Sequence, residues 1–418
     1  MLHNRIINFF SNKNLLSTTF VSLIISLSIF VFYSYQYILR LLPNSIKPDI
    51  ETLYLLDASQ FANFAGSYYI GYVLLHMPLG LLISRFGGKL VVPISMFLTG
   101  VGVVPIFLEY NWYLVILGRF LSGIGSSCAA VAGFQFFREF YPDKYSRMIG
   151  LMMFFGLCTA KFSEEYFSSL VLDFGLNYIL KIVFFFSCIL SFLTYFLFPN
   201  ISNQLKKNVK GNILLDLKNI LFNPKVISLS LCAALMVGSL EGFSDAWGSA
   251  FLMNVYNLDK TFSDYLVSYV FIGMALGTLV LPYLADKFKF WYNITLFSCI
   301  GMFLPFALLL RQCFDIAYLQ YIFFIIGFFC AYQAVTVPMV ASYVDLSKSG
   351  VASTLVNMIV MFFGTIFHKI IGYLIKYYSM KGYSMSAVYI IGVSVVPLAL
   401  FIAFVTMLIL KKFWKIKH

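Results

Sequence analysis

The chain of 418 residues is 61% hydrophobic and 11% charged, with a mean hydropathy of +0.88. No water-soluble fold hides that much apolar surface, so lipid is the solvent for most of it. The net charge of +12 does not point to nucleic acid, because the basic residues sit in short joints between apolar runs and form no continuous stripe.

The basic start, residues 1–13, is followed by an apolar run without a small-residue cleavage site. It reads as the lead-in to a retained first helix, not a signal peptide. With about 20 apolar residues needed per crossing, twelve spans are predicted: 18–41, 60–83, 90–108, 112–137, 146–170, 178–198, 226–256, 262–285, 292–310, 316–343, 350–375 and 386–410. The predicted architecture is an all-α membrane protein, with twelve transmembrane helices in two six-helix bundles. The bundles cover 1–198 and 226–418, and a polar cytoplasmic linker, 199–225, joins them. Trp112, Tyr113, Trp291 and Tyr292 lie near span ends, where interfacial anchors belong.

An even number of spans puts both termini on one side. Of the 29 Lys and Arg, 19 fall on that side, so the termini are expected to be cytoplasmic. Gly80–Lys89, after span two, is echoed by Pro282–Lys289 after span eight. Paired halves around a midplane cavity are the arrangement of rocking transporters.

Charges within spans mark function by default, since each costs about 2.5–3.5 kcal/mol at a helix centre. Here they are Arg119, Lys161, Glu164, Glu165, Glu241 and Asp245, with Arg40 and Lys369 nearer the ends. At 1.5 Å per residue, Arg119 lies roughly 10 Å in from one face, and Lys161 and Glu241 roughly 22 Å from the other. The three heights overlap, with cations from the first half and carboxylates from the second. Opposed poles of this kind suit a zwitterion.

Each group also has a plainer reading. Arg119 would serve equally as a pin on helix carbonyls, Lys161 and Glu164 as a neutralising pair three residues apart, and Arg40 as a snorkelling interface residue. Only one of Glu164 and Glu165 can face a given side. Gly238 and Gly242 would let the helix bend or pack closely around Glu241, and Asp245 suits a gate or a rim. Tyr33, Tyr37, Tyr68, Tyr72, Gln135, Trp247, Gln333, Asn357 and His368 form a second rank, as polar-tipped walls or as interhelical glue.

The seven cysteines show no CxxC and no His/Cys cluster, so neither metal nor disulfide framework is read. There is no phosphate loop, HExxH or Gly-Xaa-Ser-Xaa-Gly; no cofactor and no enzyme are expected.

Several segments resemble the major facilitator superfamily. Gly80, Ser84, Arg85, Gly87, Gly88 and Lys89 are similar to its GxxxDRxGRR loop, with Ser84 in place of the acid. Arg119–Gly125 is similar to its RxxxGxG motif, while the Gly-Pro-Gly-Gly pattern of antiporters is missing from span five. A narrower likeness joins Tyr37–Asn44, Glu241–Gly248 and Gly350–Met358 to the phagosomal transporter group of intracellular bacteria and to lysosomal dipeptide carriers.

The resemblance implies the major facilitator fold, alternating access, and an inner gate for which Arg85, Lys89 and Asp286 are the candidates. The resulting expectation is a monomeric secondary transporter of a bacterial inner membrane that imports an amino acid or small zwitterion, including a dipeptide, by proton symport. Its substrate would meet Arg40, Tyr37, Arg119, Lys161, Glu241, Asp245, Trp247, Gln333 and Asn357; its proton, Glu164, Glu165 or Glu241. A facilitative uniporter, an organic-anion or sugar-phosphate carrier, an exporter of amphipathic compounds and a silent sensor on the same fold are the alternatives.

Overall fold

The computed structural model describes residues 15–56, 58–198, 220–244, 247–345 and 348–414. Most of the predicted linker, and Asp245, therefore lie outside the described residues. The described chain is helical from end to end, as lipid requires of a backbone that must satisfy its own polar groups. Eleven helices among the described residues are long and apolar enough to cross a bilayer. The remaining predicted span, the fifth, is a thirty-residue helix, Tyr145–Phe174. It is long enough to cross, but Lys161, Glu164 and Glu165 make it the least apolar.

The chain divides into two compact units, residues 1–142 with 155–213, and residues 143–154 with 214–418. The first is built from α1 (Leu15–Tyr54), α2 (Ala58–Phe86), α3 (Gly88–Val101), α4 (Trp112–Phe140), α5 (Tyr145–Phe174) and α6 (Leu176–Leu197). Its breaks follow from local chemistry. Gly87, at φ 87°, separates α2 from α3, a conformation that side chains resist. Asn111 caps α4 by accepting the Leu114 N–H at 3.1 Å. The first turns of α5 belong to the second unit.

The second unit contains α7 (Pro224–Met236), α8 (Gly248–Val255), α9 (Lys260–Phe288), α10 (Trp291–Leu310), α11 (Leu319–Cys330), α12 (Gln333–Ala341), α13 (Ser349–Met380), α14 (Met385–Val393) and α15 (Val395–Phe413). The predicted span 226–256 is not one continuous helix. After α7 the chain tightens at Val237–Ser239 and widens into a π turn at Leu240–Ser244. A Cβ at Gly238 or Gly242 would strike the Phe367 side chain, so close packing and local unwinding occur together.

Each unit is held by the same device. In the first, Gly71 of α2 lies against the Phe120 carbonyl, and Gly123 of α4 against the backbone of Tyr68. In the second, Gly273 of α9 lies against the Phe324 carbonyl, and Gly327 of α11 against that of Val270. The helices that carry the second and fourth spans of each unit thus touch backbone to backbone. That is how helices associate where lipid removes the hydrophobic drive, and the recurrence matches the repeat read from the sequence.

Gly123→Val is expected to cost about 1–3 kcal/mol through overpacking, read as a lower thermal unfolding midpoint in detergent. Gly66→Ala, where an added Cβ meets nothing within 4 Å, should leave the midpoint unchanged or slightly raised.

Candidate functional site

The polar centre of the first unit begins with a proline. The first span was expected over 18–41, and its apolar stretch is Phe20–Pro43; the helix α1 that carries it runs on through Pro43 to Tyr54. Proline brings no N–H, so the carbonyl four residues back, that of Leu39, loses its helical partner. In a membrane such a carbonyl has to be satisfied by the protein. Arg119 of α4 does so: its Nη1 donates to the Leu39 carbonyl, and its Nη2 to that of Arg40 at 3.0 Å. The residue is 2% exposed. Its guanidinium rests on the ring of Tyr68, 4.5 Å from the centroid, and on that of Phe64 at 5.5 Å. Of the two readings of Arg119, this geometry displays the carbonyl pin.

The pin fixes the stretch of α1 that carries Arg40. The Arg40 guanidinium lies 5.5 Å from the ring centroids of both Tyr37 and Tyr69, and its Nε donates to the Tyr69 hydroxyl at 3.3 Å. The tyrosines continue in two ladders. Tyr33 and Tyr37 meet edge to face at 5.4 Å, and α5 approaches both rings where Gly156 leaves room. On α2, Tyr68, Tyr72 and His76 follow at successive turns, with centroids 6.2 Å and 5.0 Å apart. The Tyr68 hydroxyl donates to Gln36 Oε1 at 3.0 Å. The ladder is buried at Tyr68 and His76 and half-buried at Tyr72 and Tyr37, so a polar-tipped aromatic wall runs from hidden to accessible within one unit.

Sequence reasoning missed Pro43, Gln36, Tyr69 and His76. The i−4 rule applied to Pro43 would have exposed the first; the others carry no signal until α1, α2 and α4 are packed. Gln135 donates to the Gly80 carbonyl at 2.6 Å, the role of interhelical glue. Lys161 is exposed on α5. The side chains of Glu164, Glu165 and Glu241 lie outside the described residues; the backbone of Glu241 sits in the π turn.

In the second unit, Trp247 is half-buried at the entry to α8, and its Nε1 has no hydrogen-bond partner among the described residues. Gln333 is buried at the first position of α12. Asn357 is half-buried on α13, and so is His368.

The gate candidates are unequal. Ser84 turns back on its own helix to the Gly80 carbonyl at 2.9 Å. Arg85 is exposed beside the ring of Phe86, and Lys89 lies 5.5 Å over that of Tyr195. Asp286, at the end of α9, is by contrast built in. Its side chain is 5% exposed, 3.4 Å from the Arg147 guanidinium on the first turn of α5, and it accepts from the Trp291 indole at 3.1 Å. Two further contacts hold the same turns of α5. The Tyr145 and Ser353 hydroxyls are 2.9 Å apart, and Gly150 lies against the Thr278 carbonyl and Pro282. Arg147, which the sequence offered only as a topology charge, is the partner of Asp286.

Comparison with known proteins agrees with this architecture. A sequence model of the Major Facilitator Superfamily matches residues 15–367. A crystal structure of FucP, a Major Facilitator Superfamily transporter, superposes with a TM-score of 0.69 at 14% identity, covering 90% of this chain and 98% of that one. A second structure, described as the E. coli fucose:proton symporter, gives 0.65 at 15% identity with the same coverage. At such identity the likeness speaks to fold. Human facilitated glucose transporter member 12 of solute carrier family 2 is 25% identical over 167 residues, 39% of this chain and 27% of that protein. Its mouse counterpart is 26% identical over 156 residues, 36% and 25% respectively. The chain thus spans about a quarter of the length of these relatives.

Arg119→Lys keeps the charge but loses the fork that reaches two carbonyls. It is expected to cost about 1–3 kcal/mol, the price of a buried acceptor left unmet, measured by thermal unfolding of the detergent-purified protein.

Proposed function

From the premise that the chain belongs to the Major Facilitator Superfamily and is a multi-pass membrane transporter, we propose that it imports a small zwitterionic nutrient, an amino acid or very small peptide, by alternating access. The observation that carries this reading is Arg40, held beside a tyrosine wall on a stretch of α1 that Arg119 braces. Arg40 takes the solute carboxylate, since a guanidinium grips a carboxylate in a fork. Tyr37 and Tyr72 flank the solute body, and Arg119 acts through Arg40 as a positioning residue.

The remaining groups are proposed from the sequence. Glu241 and Asp245 suit the ammonium, the indole N–H of Trp247 suits a solute oxygen, and Gln333 and Asn357 complete the polar set; Lys161 is a further cation of the first unit. Proton coupling is assigned to Glu164, Glu165 or Glu241, the carboxylates within spans. The Asp286–Arg147 clasp is assigned to gating, with Arg85 and Lys89 as the weaker counterpart in the first unit. The lysine and arginine tally supports cytoplasmic termini in a bacterial inner membrane.

A second reading has its own support. Tyrosine faces also pack against sugar rings, and the matched proteins are described as glucose and fucose transporters. In that reading the tyrosine wall, not Arg40, carries recognition.

Purified protein in proteoliposomes distinguishes the two. Labelled amino acids or dipeptides should accumulate, a protonophore should abolish accumulation, and Arg40→Gln should raise the KM about tenfold, equivalent to ~1.4 kcal/mol. Uptake of hexoses alone would transfer the assignment to the second reading, and indifference to the protonophore would make the protein a uniporter. Asp286→Asn and Arg147→Gln should each slow uptake, and the double variant should be no slower than either single, as expected of partners in one contact.

A further inference from the structure

The second unit carries a charge imbalance that the solute path does not use. From residue 346 to the end of the sequence there is no Asp or Glu, but there are eight lysines. Three of them, Lys369, Lys376 and Lys381, mark the last turns of α13 and its C-cap. All three are exposed, and among the described residues no ion pair engages them. Lys369, Tyr373, Lys376, Tyr377 and Met380 follow at spacings of four, three, one and three, so they share one face of the helix.

That face is open. Tyr373 is 65% exposed and Met380 79%. The Tyr373 and Tyr377 rings stack at 6.0 Å, and Lys381 Nζ stands 4.4 Å over the centroid of Tyr377. Two turns below Lys369, on the same side, Phe362 is 55% exposed. A large exposed apolar ring there suits contact with acyl chains. Lys369 is exposed on a helix long and apolar enough to cross the bilayer, where an ammonium needs a counter-charge, and the sequence from residue 346 onward supplies none.

We propose that the Met380 end of α13 is a binding site for the headgroup of an anionic phospholipid. The phosphate lies between Lys376 and Lys381, and Lys369 extends its stem along the helix toward the same plane, as long cationic side chains do. The hydroxyls of Tyr373 and Tyr377 donate to headgroup oxygens, while their rings remain among the upper acyl carbons. Near-surface lysines each contribute to such binding by charge, and the stacked rings hold Lys381 in place.

The test uses the full-length protein and its Lys369→Gln/Lys376→Gln/Lys381→Gln variant, in nanodiscs of phosphatidylcholine with or without phosphatidylglycerol. Lipid retained after transfer to detergent is counted by native mass spectrometry. Wild type should retain phosphatidylglycerol and unfold at a higher temperature in discs that contain it, whereas the triple variant should retain on the order of a hundredfold less, from about tenfold per 1.4 kcal/mol and ~1 kcal/mol per lysine. The variant should unfold with wild type in pure phosphatidylcholine, which separates lost binding from lost folding. Equal retention by the two proteins would overturn the proposal. So would equal stabilisation by inorganic phosphate in phosphatidylcholine discs, since the site would then recognise a free anion and not a lipid.

Discussion

A guanidinium enclosed in lipid-embedded protein needs acceptors on the spot, and Arg119 finds two on α1, one of them a carbonyl that a proline has released. Pro43 takes one N–H out of α1; Arg119, from α4, takes the place of that N–H at Leu39 and extends to Arg40. Neither residue is well placed alone. Pro43 alone leaves a bare carbonyl in a medium without water, and Arg119 alone leaves a buried charge. Together they allow α1 to run on to Tyr54, and they tie the first helix to the fourth.

Much of the remaining first unit follows from that tie. The second helix packs on the fourth through Gly71 and Gly123, which brings Tyr68 under the Arg119 guanidinium and Tyr69 beside Arg40. Aromatic faces then serve two cations one after the other, one buried for structure and one half-buried. The second unit repeats the glycine contact between α9 and α11 but spends its polar chemistry differently, on an unwound turn around Glu241 and a carboxylate clasp at Asp286. The clasp holds the first turns of α5, which group with the second unit.

The architecture was largely legible in the amino-acid sequence, because lipid imposes one length scale and one backbone rule on every span. Apolar runs of bilayer length located the helices, and Gly238 and Gly242 marked where the seventh span bends or packs closely, although the span was read as unbroken. The first span was placed to within two residues, but the run of its helix past Pro43 was not read, because it depends on a donor 76 residues further along the chain. The site was less legible. Spacing along a helix marked Tyr33, Tyr37, Tyr68 and Tyr72, but only packing of α1, α2 and α4 brings Gln36, Tyr69 and Arg40 against them. Asp286 was visible as a charge after a span, whereas Arg147 became its partner only through the approach of α5 to α9.

The dependence of Arg119 on Pro43 can be measured by a double-mutant cycle on thermal stability, with Arg119→Gln, Pro43→Ala and the two combined. Pro43→Ala restores the N–H that Leu39 lost, so the arginine should matter less in that background, with a coupling of about 0.5–3 kcal/mol. Strictly additive effects would mean that Arg119 is not repairing the helix, and the account of how Arg40 is positioned would fall with it.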